Sequence, residues 1–297
     1  MKKMKFVVAL CMVLMFLVPA AASARDIAPF ESTGWLEKNL KNPKLVIVDV
    51  RKPEEYGAGH IPGAVNVFYG SWAIKKGELL NELPADEDLR DVISSVGIEP
   101  MSWVVVVGKN AAVPDRWDST RVAFTLKYAG VDNVAVLDGG YDKWVAEKKP
   151  VSKDKVVPKK KAYNGKFNKA IVVNKAYTLG ALDKALIVDV RAPEFYKGEK
   201  KLGFVAKTGR IKGAVNLPAA LLFNPDGTYK DKAGIEAATK PVVGSDLSRE
   251  IVVYCDTGKV CTGWWLALAD LLGYKNVKVY DGSSMEWMKD AMAPSAP

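Results

Sequence analysis

"LVIVDVRKPEEY" at residues 45–56 returns as "ALIVDVRAPEFY" at residues 185–196, and this recurrence decides how the whole chain is read. Two further blocks repeat in the same order: "HIPGAVNV" (60–67) as "RIKGAVNL" (210–217), and "NVAVLDGGYDKWV" (133–145) as "NVKVYDGSSMEWM" (276–288). Three matched blocks in one order mean a duplicated domain. Within each copy, Val-rich runs such as 45–48 and 104–107 are bounded by Asp, Gly and Pro, the pattern of strands buried on both faces of a mainly parallel sheet. Between them, "DSTRVAFTLKYAG" and "TGWWLALADLLG" read as helices closed by Gly130 and Gly273. The expectation is an α/β fold of two tandem domains, each a mainly parallel sheet flanked by helices. The copies differ in length where "GAG" (57–59) becomes "KGEKKLGFVAKTG" (197–209), an insertion read as a surface loop.

The chain opens with Lys2, Lys3 and Lys5, an apolar run over 6–18 and the small-residue pattern Ala22-Ser23-Ala24. That is the layout of a secretory signal peptide cleaved after Ala24, and the apolar run is shorter than the ~20 residues of a spanning helix. The mature protein is expected to be periplasmic or secreted, without stable membrane insertion. Removing three lysines and no acids lowers the formal charge from +9 to +6. The segment 148–169 alone holds nine lysines and one aspartate, so the excess sits in a Lys- and Pro-rich stretch read as a solvated linker over 149–164. No interleaving of aromatic and basic residues recurs elsewhere, which argues against a nucleic-acid partner.

Cys11 leaves with the leader, and only Cys255 and Cys261 remain, in "IVVYCDTGKVCTGWW" (251–265). Two thiols close together do not make a disulfide framework, and with one histidine, His60, they lack a tetrahedral metal-ligand set. No dinucleotide or phosphate-loop motif is present, so no cofactor is expected. Cys255 stands at the carboxyl end of a strand, where open α/β sheets bind ligands. The loop behind it can turn its N–H groups toward an anion. A free thiol of pKa ~8.5 is only about 3% thiolate at pH 7, and a pKa of ~6 makes it about 90% ionised. Lys259 is a candidate source of that stabilisation, and Asp256 opposes it if its carboxylate turns inward.

These blocks together resemble the rhodanese family: the "DVR-x-PEEY" turn, "GHIPGAVN", the "VVYC" strand entering a Cys-centred loop, and the closing "NVKVYDGS" block. The resemblance covers about 31–148 and 165–290, with a tail over 291–297. It implies a sulfurtransferase with a non-catalytic first domain and a catalytic second one. "WVVVVG" ends at Gly108 where "IVVYC" ends at Cys255, so the first copy lacks the nucleophile and serves as a packing partner. In the second, Cys255 is implied to attack the outer sulfur of a small thiosulfate-like or mercaptopyruvate-like anion and to pass sulfur from a persulfide to a thiol or cyanide. Asp256, Thr257, Gly258, Lys259 and Val260 form the implied anion cradle, with Arg191 supporting it.

Two departures stand out. Val260 occupies a place where family loops carry Arg or Thr, and Cys261 stands where related Cys-x5-Arg phosphatases place arginine, which argues against phosphatase chemistry. Cys261 is either a buried helix residue or a resolving thiol for Cys255. A sulfur or oxyanion carrier, or a thiol redox partner serving a periplasmic redox protein, is the alternative to an enzyme. Of Trp264 and Trp265, at least one is expected in the core and the other at the cleft or domain interface.

Overall fold

The computed structural model describes residues 25–290 and 292–296, so the export segment expected over 1–24 lies outside the described residues. Strands β1 (Phe30–Glu31), β2 (Leu45–Asp49), β3 (Val65–Asn66), β4 (Trp103–Val107) and β5 (Asn133–Leu137) form one sheet in the order β1-β5-β4-β2-β3. Strands β6 (Val172–Val173), β7 (Leu186–Asp189), β8 (Val215–Asn216), β9 (Glu250–Tyr254) and β10 (Asn276–Tyr280) form the other, in the order β6-β10-β9-β7-β8. The two orders are identical once the second set is renumbered from its first strand, and every pairing in both sheets is parallel. Valine and isoleucine fill the central strands because a parallel sheet buries both faces; Val104 to Val107 and Ile251 to Tyr254 are all fully enclosed.

Helix α1 (Arg116–Tyr128) follows β4, and helix α2 (Cys261–Trp265) follows β9. Gly130 ends the first of them at φ +92°, and a side chain there would come within 2.2 Å of the Lys166 carbonyl oxygen. The second helix is shorter than expected as an α-helix: it passes into a π-helical stretch over Leu266–Leu271 before the turn at Gly273, φ +84°.

The two helices lie against one another at the domain boundary. Thr120 Oγ1 and Thr262 Oγ1 are 3.1 Å apart, and Gly263 lets the Trp117 ring approach to within 3.2 Å of where a Cβ would stand. Helix α1 is therefore buried nearly all round, with Val122, Phe124 and Leu126 completely enclosed. One apolar cluster runs from Val48 and Val106 through Phe124 to Trp265 and Val253, so the domains share a core rather than touching at a polar seam. Both tryptophans after Cys261 belong to it, at 0% and 3% exposure for Trp264 and Trp265. Trp265 meets Phe124 of the first domain edge-on at 5.0 Å between ring centres. It stands at the interface, and neither ring reaches the cleft described below.

The Lys- and Pro-rich segment is less free than a solvated linker. Lys161 N–H donates to Ser94 O (3.0 Å), Ser152 and His60 exchange backbone hydrogen bonds, and Tyr163 is buried with its hydroxyl on Ala129 O (2.8 Å). Lys153, Lys155, Lys159 and Lys160 remain exposed. An aromatic anchor and satisfied backbone groups tie the strap to the first domain, while its charge faces water.

Candidate active site

Strand β9 lies between β7 and β10, and β7 leads outward to β8, so the chain reverses direction across the sheet between β7 and β9. Such a reversal leaves a crevice at the carboxyl ends of those strands. The crevice is a cleft of about 680 Å³ between the domains, bordered by Val190 to Pro193 after β7, Pro218 to Ala220 after β8 and Cys255, Asp256 and Val260 after β9. The first domain closes it with Val113, Arg116 and Trp117. Cys255 borders this cleft although none of its surface is exposed to water. Its sulfur therefore lies just behind the wall.

Both cysteines are free thiols and both are fully enclosed. Burial pushes the Cys255 thiol up, but the Cys261 thiol and the N–H groups of Thr257 and Cys261 donate to its sulfur and outweigh that cost, bringing it down to about 7. The Asp256 carboxylate opposes the shift. Burial, and the neighbouring Cys255 thiolate, hold Cys261 well above the ordinary thiol range, so the proton of the pair stays on Cys261. In the reduced protein the Cys261 thiol is thus the donor of the pair and the Cys255 sulfur the acceptor.

The loop is held from behind by groups that its own sequence does not announce. Ser283 Oγ accepts from Cys255 N–H (3.2 Å) and Gly258 N–H (3.0 Å) and donates to Tyr280 O (2.8 Å). Ser283 replaces Gly140 of the first copy and keeps its left-handed backbone, φ 48° against 60°. That serine-for-glycine exchange was the available signal. Gly258 has φ +69°, and a Cβ there would sit 2.4 Å from Asp281 O, so only glycine fits this turn.

The first domain contributes more to this loop than packing. Arg121 of α1, completely buried, donates to Gly258 O (2.9 Å) and to both carboxylate oxygens of Asp281 (2.5 and 3.2 Å). Asn81 Nδ2 donates to Thr257 Oγ1 (2.9 Å). These residues escaped the sequence reading because their partners lie 137 to 176 positions away.

Two expected cradle side chains are engaged elsewhere. Lys259 does not face the sulfur: it is ion-paired with Asp118 of the first domain and its Nζ lies 4.7 Å from the centre of the Tyr69 ring. The Thr257 hydroxyl is turned to Asn81, and only its N–H serves Cys255. Gly258 N–H is taken by Ser283, and Val260 offers the cleft an apolar surface without a donor. A cation beside its matching carboxylate is already satisfied.

Arg191 borders the cleft, but its work is visible in the duplicate. It forks onto Asp189 (2.6 Å) and Gly209 O (2.8 Å), as Arg51 forks onto Asp49 (2.6 Å) and Gly59 O (2.9 Å) in the first domain. The same bonds in a copy without a nucleophile identify a structural brace. Its remaining nitrogen stands 3.6 Å from Asp256, whose carboxyl is raised to about 6 by burial against the pull of Arg191. His60 is 1% exposed and stacks on Tyr56 at 3.9 Å, inside the first domain.

In the first copy Gly108 occupies the position of Cys255, and the Ser119 hydroxyl fills the space a side chain there would take, 2.3 Å from where a Cβ would stand. Among the described residues no group of His, Cys, Asp and Glu forms a metal site.

Comparison with known proteins agrees with this architecture. The sequence profile of the rhodanese-like domain matches residues 32–147 and again 174–290. A Mycolicibacterium smegmatis protein named "Putative thiosulfate sulfurtransferase" is 32% identical over 277 residues, covering 89% of this chain and 95% of that protein. The sulfur carrier protein TtuD of Thermus thermophilus is 30% identical, covering 86% and 92%. The crystal structure of SseA from Escherichia coli, a 3-mercaptopyruvate sulfotransferase by its description, superposes with a TM-score of 0.73 at 27% identity over 86% of this chain and 99% of that one. Duplicated sheet order, shared core and profile matches together make this chain a tandem-domain member of the rhodanese family of sulfurtransferases and sulfur carriers.

Proposed function

We propose that the protein is an exported sulfurtransferase that carries sulfane sulfur on Cys255. The observation that carries this reading is the Cys255 thiol, lowered to about 7 by three donors from its own loop, beside a cleft lined by both domains. The thiolate attacks the outer sulfur of a thiosulfate-like donor. The donor's S–S bond breaks, the leaving sulfite or sulfinate departs with the electron pair, and a Cys255 persulfide remains. An acceptor thiolate or cyanide then attacks the outer sulfur, and Cys255 leaves as thiolate, so no external oxidant or reductant is required. Backbone N–H groups that stabilise the first thiolate also stabilise the leaving one.

The enclosure of Cys255 favours a second reading, a carrier that protects its sulfur for a dedicated partner with slow turnover; a relative is named a sulfur carrier. Both readings require a transferable persulfide. Incubation with thiosulfate or mercaptopyruvate is expected to add the mass of one sulfur at Cys255, and cyanide to remove it. Absence of the gain with every donor rejects both, and slow release to small acceptors selects the carrier. Export rests on the pattern at 1–24. Terminal sequencing of protein recovered from a bacterial periplasm is expected to begin at Arg25; a retained Met1 rejects cleavage.

A further inference from the structure

The cleft has charge that the loop does not use. Its charged lining residues are Arg116, Arg191, Lys230 and Asp256. Arg191 is committed to Asp189 and faces Asp256. Among the described residues neither Arg116 nor Lys230 has a carboxylate within 4.0 Å, whereas Lys259 and Arg121 are both paired. Arg116 is also held in place. Its guanidinium lies 5.0 Å from the centre of the Phe223 ring, its Nε is buried without a hydrogen-bond partner, and Nη2 occupies space that a Cβ on Gly227 would invade at 2.7 Å. Lys230 is half-buried at the cleft, its backbone anchored in the same turn by its N–H on Leu222 O (2.8 Å). A positioned, partly desolvated cation without an anion is a recognition group waiting for one.

The rest of the cleft describes the body of that ligand. Trp117, Phe195, Pro218 and Phe223 give it apolar walls. About 680 Å³ lies within the ~300–1,000 Å³ range of sites that enclose organic molecules, and far exceeds what a compact inorganic anion fills.

Resting on the sulfurtransferase reading above, we propose that Arg116 of the first domain and Lys230 of the second form an anion subsite that selects a carboxylate-bearing organic thiol as the sulfur acceptor of Cys255. The acceptor lays its apolar body along Trp117 and Phe223, with its carboxylate at the two cations and its sulfur toward Cys255. Its thiolate attacks the outer sulfur of the persulfide. The Cys255 S–S bond breaks, Cys255 takes the electron pair as thiolate, and the acceptor leaves as its persulfide. The first domain thereby sets acceptor specificity although it holds no nucleophile.

Mercaptohexanoate and mercaptohexanol are probes of equal carbon length that end in a carboxylate and in a neutral hydroxyl. With persulfide-loaded protein, sulfur transfer is expected to show a KM about tenfold lower for the carboxylate, a 1.4 kcal/mol preference. Arg116→Gln and Lys230→Gln are each expected to collapse that ratio toward one. Equal KM values in the wild-type protein, or a ratio that survives both substitutions, overturns the subsite. A second measurement needs no sulfur chemistry: calorimetric binding of hexanoate to Cys255→Ser protein, expected to weaken about tenfold in the Arg116→Gln background. Hexanoate binding that depends on Arg116 upholds the anion subsite, and if the wild-type protein then gains no sulfur from any donor, the failure falls on the transferase reading alone. Binding indifferent to Arg116 and Lys230 rejects the subsite alone.

Discussion

Arg121 of the first domain and Asp281 of the second form a buried, two-pronged ion pair, at 2.5 and 3.2 Å, directly behind the Cys255 loop. The same arginine donates to Gly258 O, so the Cys255 loop is shaped by a residue from the domain that lacks a cysteine. Asp281 also accepts from Leu83 N–H (3.1 Å). The loop around Cys255 is therefore built by both domains together.

Arg121→Met removes one partner and leaves the Asp281 carboxylate buried without its cation. The expected cost is about 3–5 kcal/mol of stability, read from urea unfolding. Protein that stays folded is expected to load sulfur more slowly, because Gly258 O loses its anchor. A change below about 1 kcal/mol would contradict a buried pair.

Cys261→Ala deletes the thiol donor to the Cys255 sulfur. The Cys255 thiol then moves up from about 7 toward its ordinary value. Because the thiolate is the reactive form, the rate of alkylation by iodoacetamide is expected to rise with pH through an inflection near 7 in the wild-type protein and through a higher one in the variant. An unmoved inflection would show that Cys261 does not hold the thiolate. Recovery of a Cys255–Cys261 disulfide with release of hydrogen sulfide from loaded wild-type protein would instead establish Cys261 as a resolving thiol.

Asp256→Asn acts in the opposite sense. The carboxylate raises the Cys255 thiol, and it is itself ionised above about 6. Its removal is expected to shift the alkylation inflection to lower pH, with the largest gain in rate between about 6 and 7. Below that range the wild-type carboxyl is already neutral, and the two proteins are expected to converge.

Ser283→Ala strips the acceptor from Cys255 N–H and Gly258 N–H, both of which are buried. Leaving buried donors unmade costs about 1–3 kcal/mol each. Loss of stability together with a raised alkylation inflection is expected; a variant unchanged in both respects would remove Ser283 from the site.

The duplicated blocks carried the tandem α/β architecture, because strand burial and strand-to-helix turns are written locally in Val runs, Asp and Gly. The asymmetry between Gly108 and Cys255 was equally legible, and it pointed to the half that carries the thiol. The partners of the loop were not. Lys259 reads as the natural companion of Cys255 from four positions away, yet Asp118 claims it across the domain interface. Arg121, Asn81, Asp281 and Ser283 reach the loop from segments far along the chain. Arg116 reads as one charge in a polar loop until folding sets it in the cleft without a partner.

The amino-acid sequence by itself determined which half bears the thiol, since that depends on residue identity at one repeated position. Only the tertiary structure decided what surrounds that thiol and which cations of the cleft stay without a carboxylate. Charge pairing and hydrogen bonding act over a few ångströms of space, and the fold, not the order of residues, sets those distances.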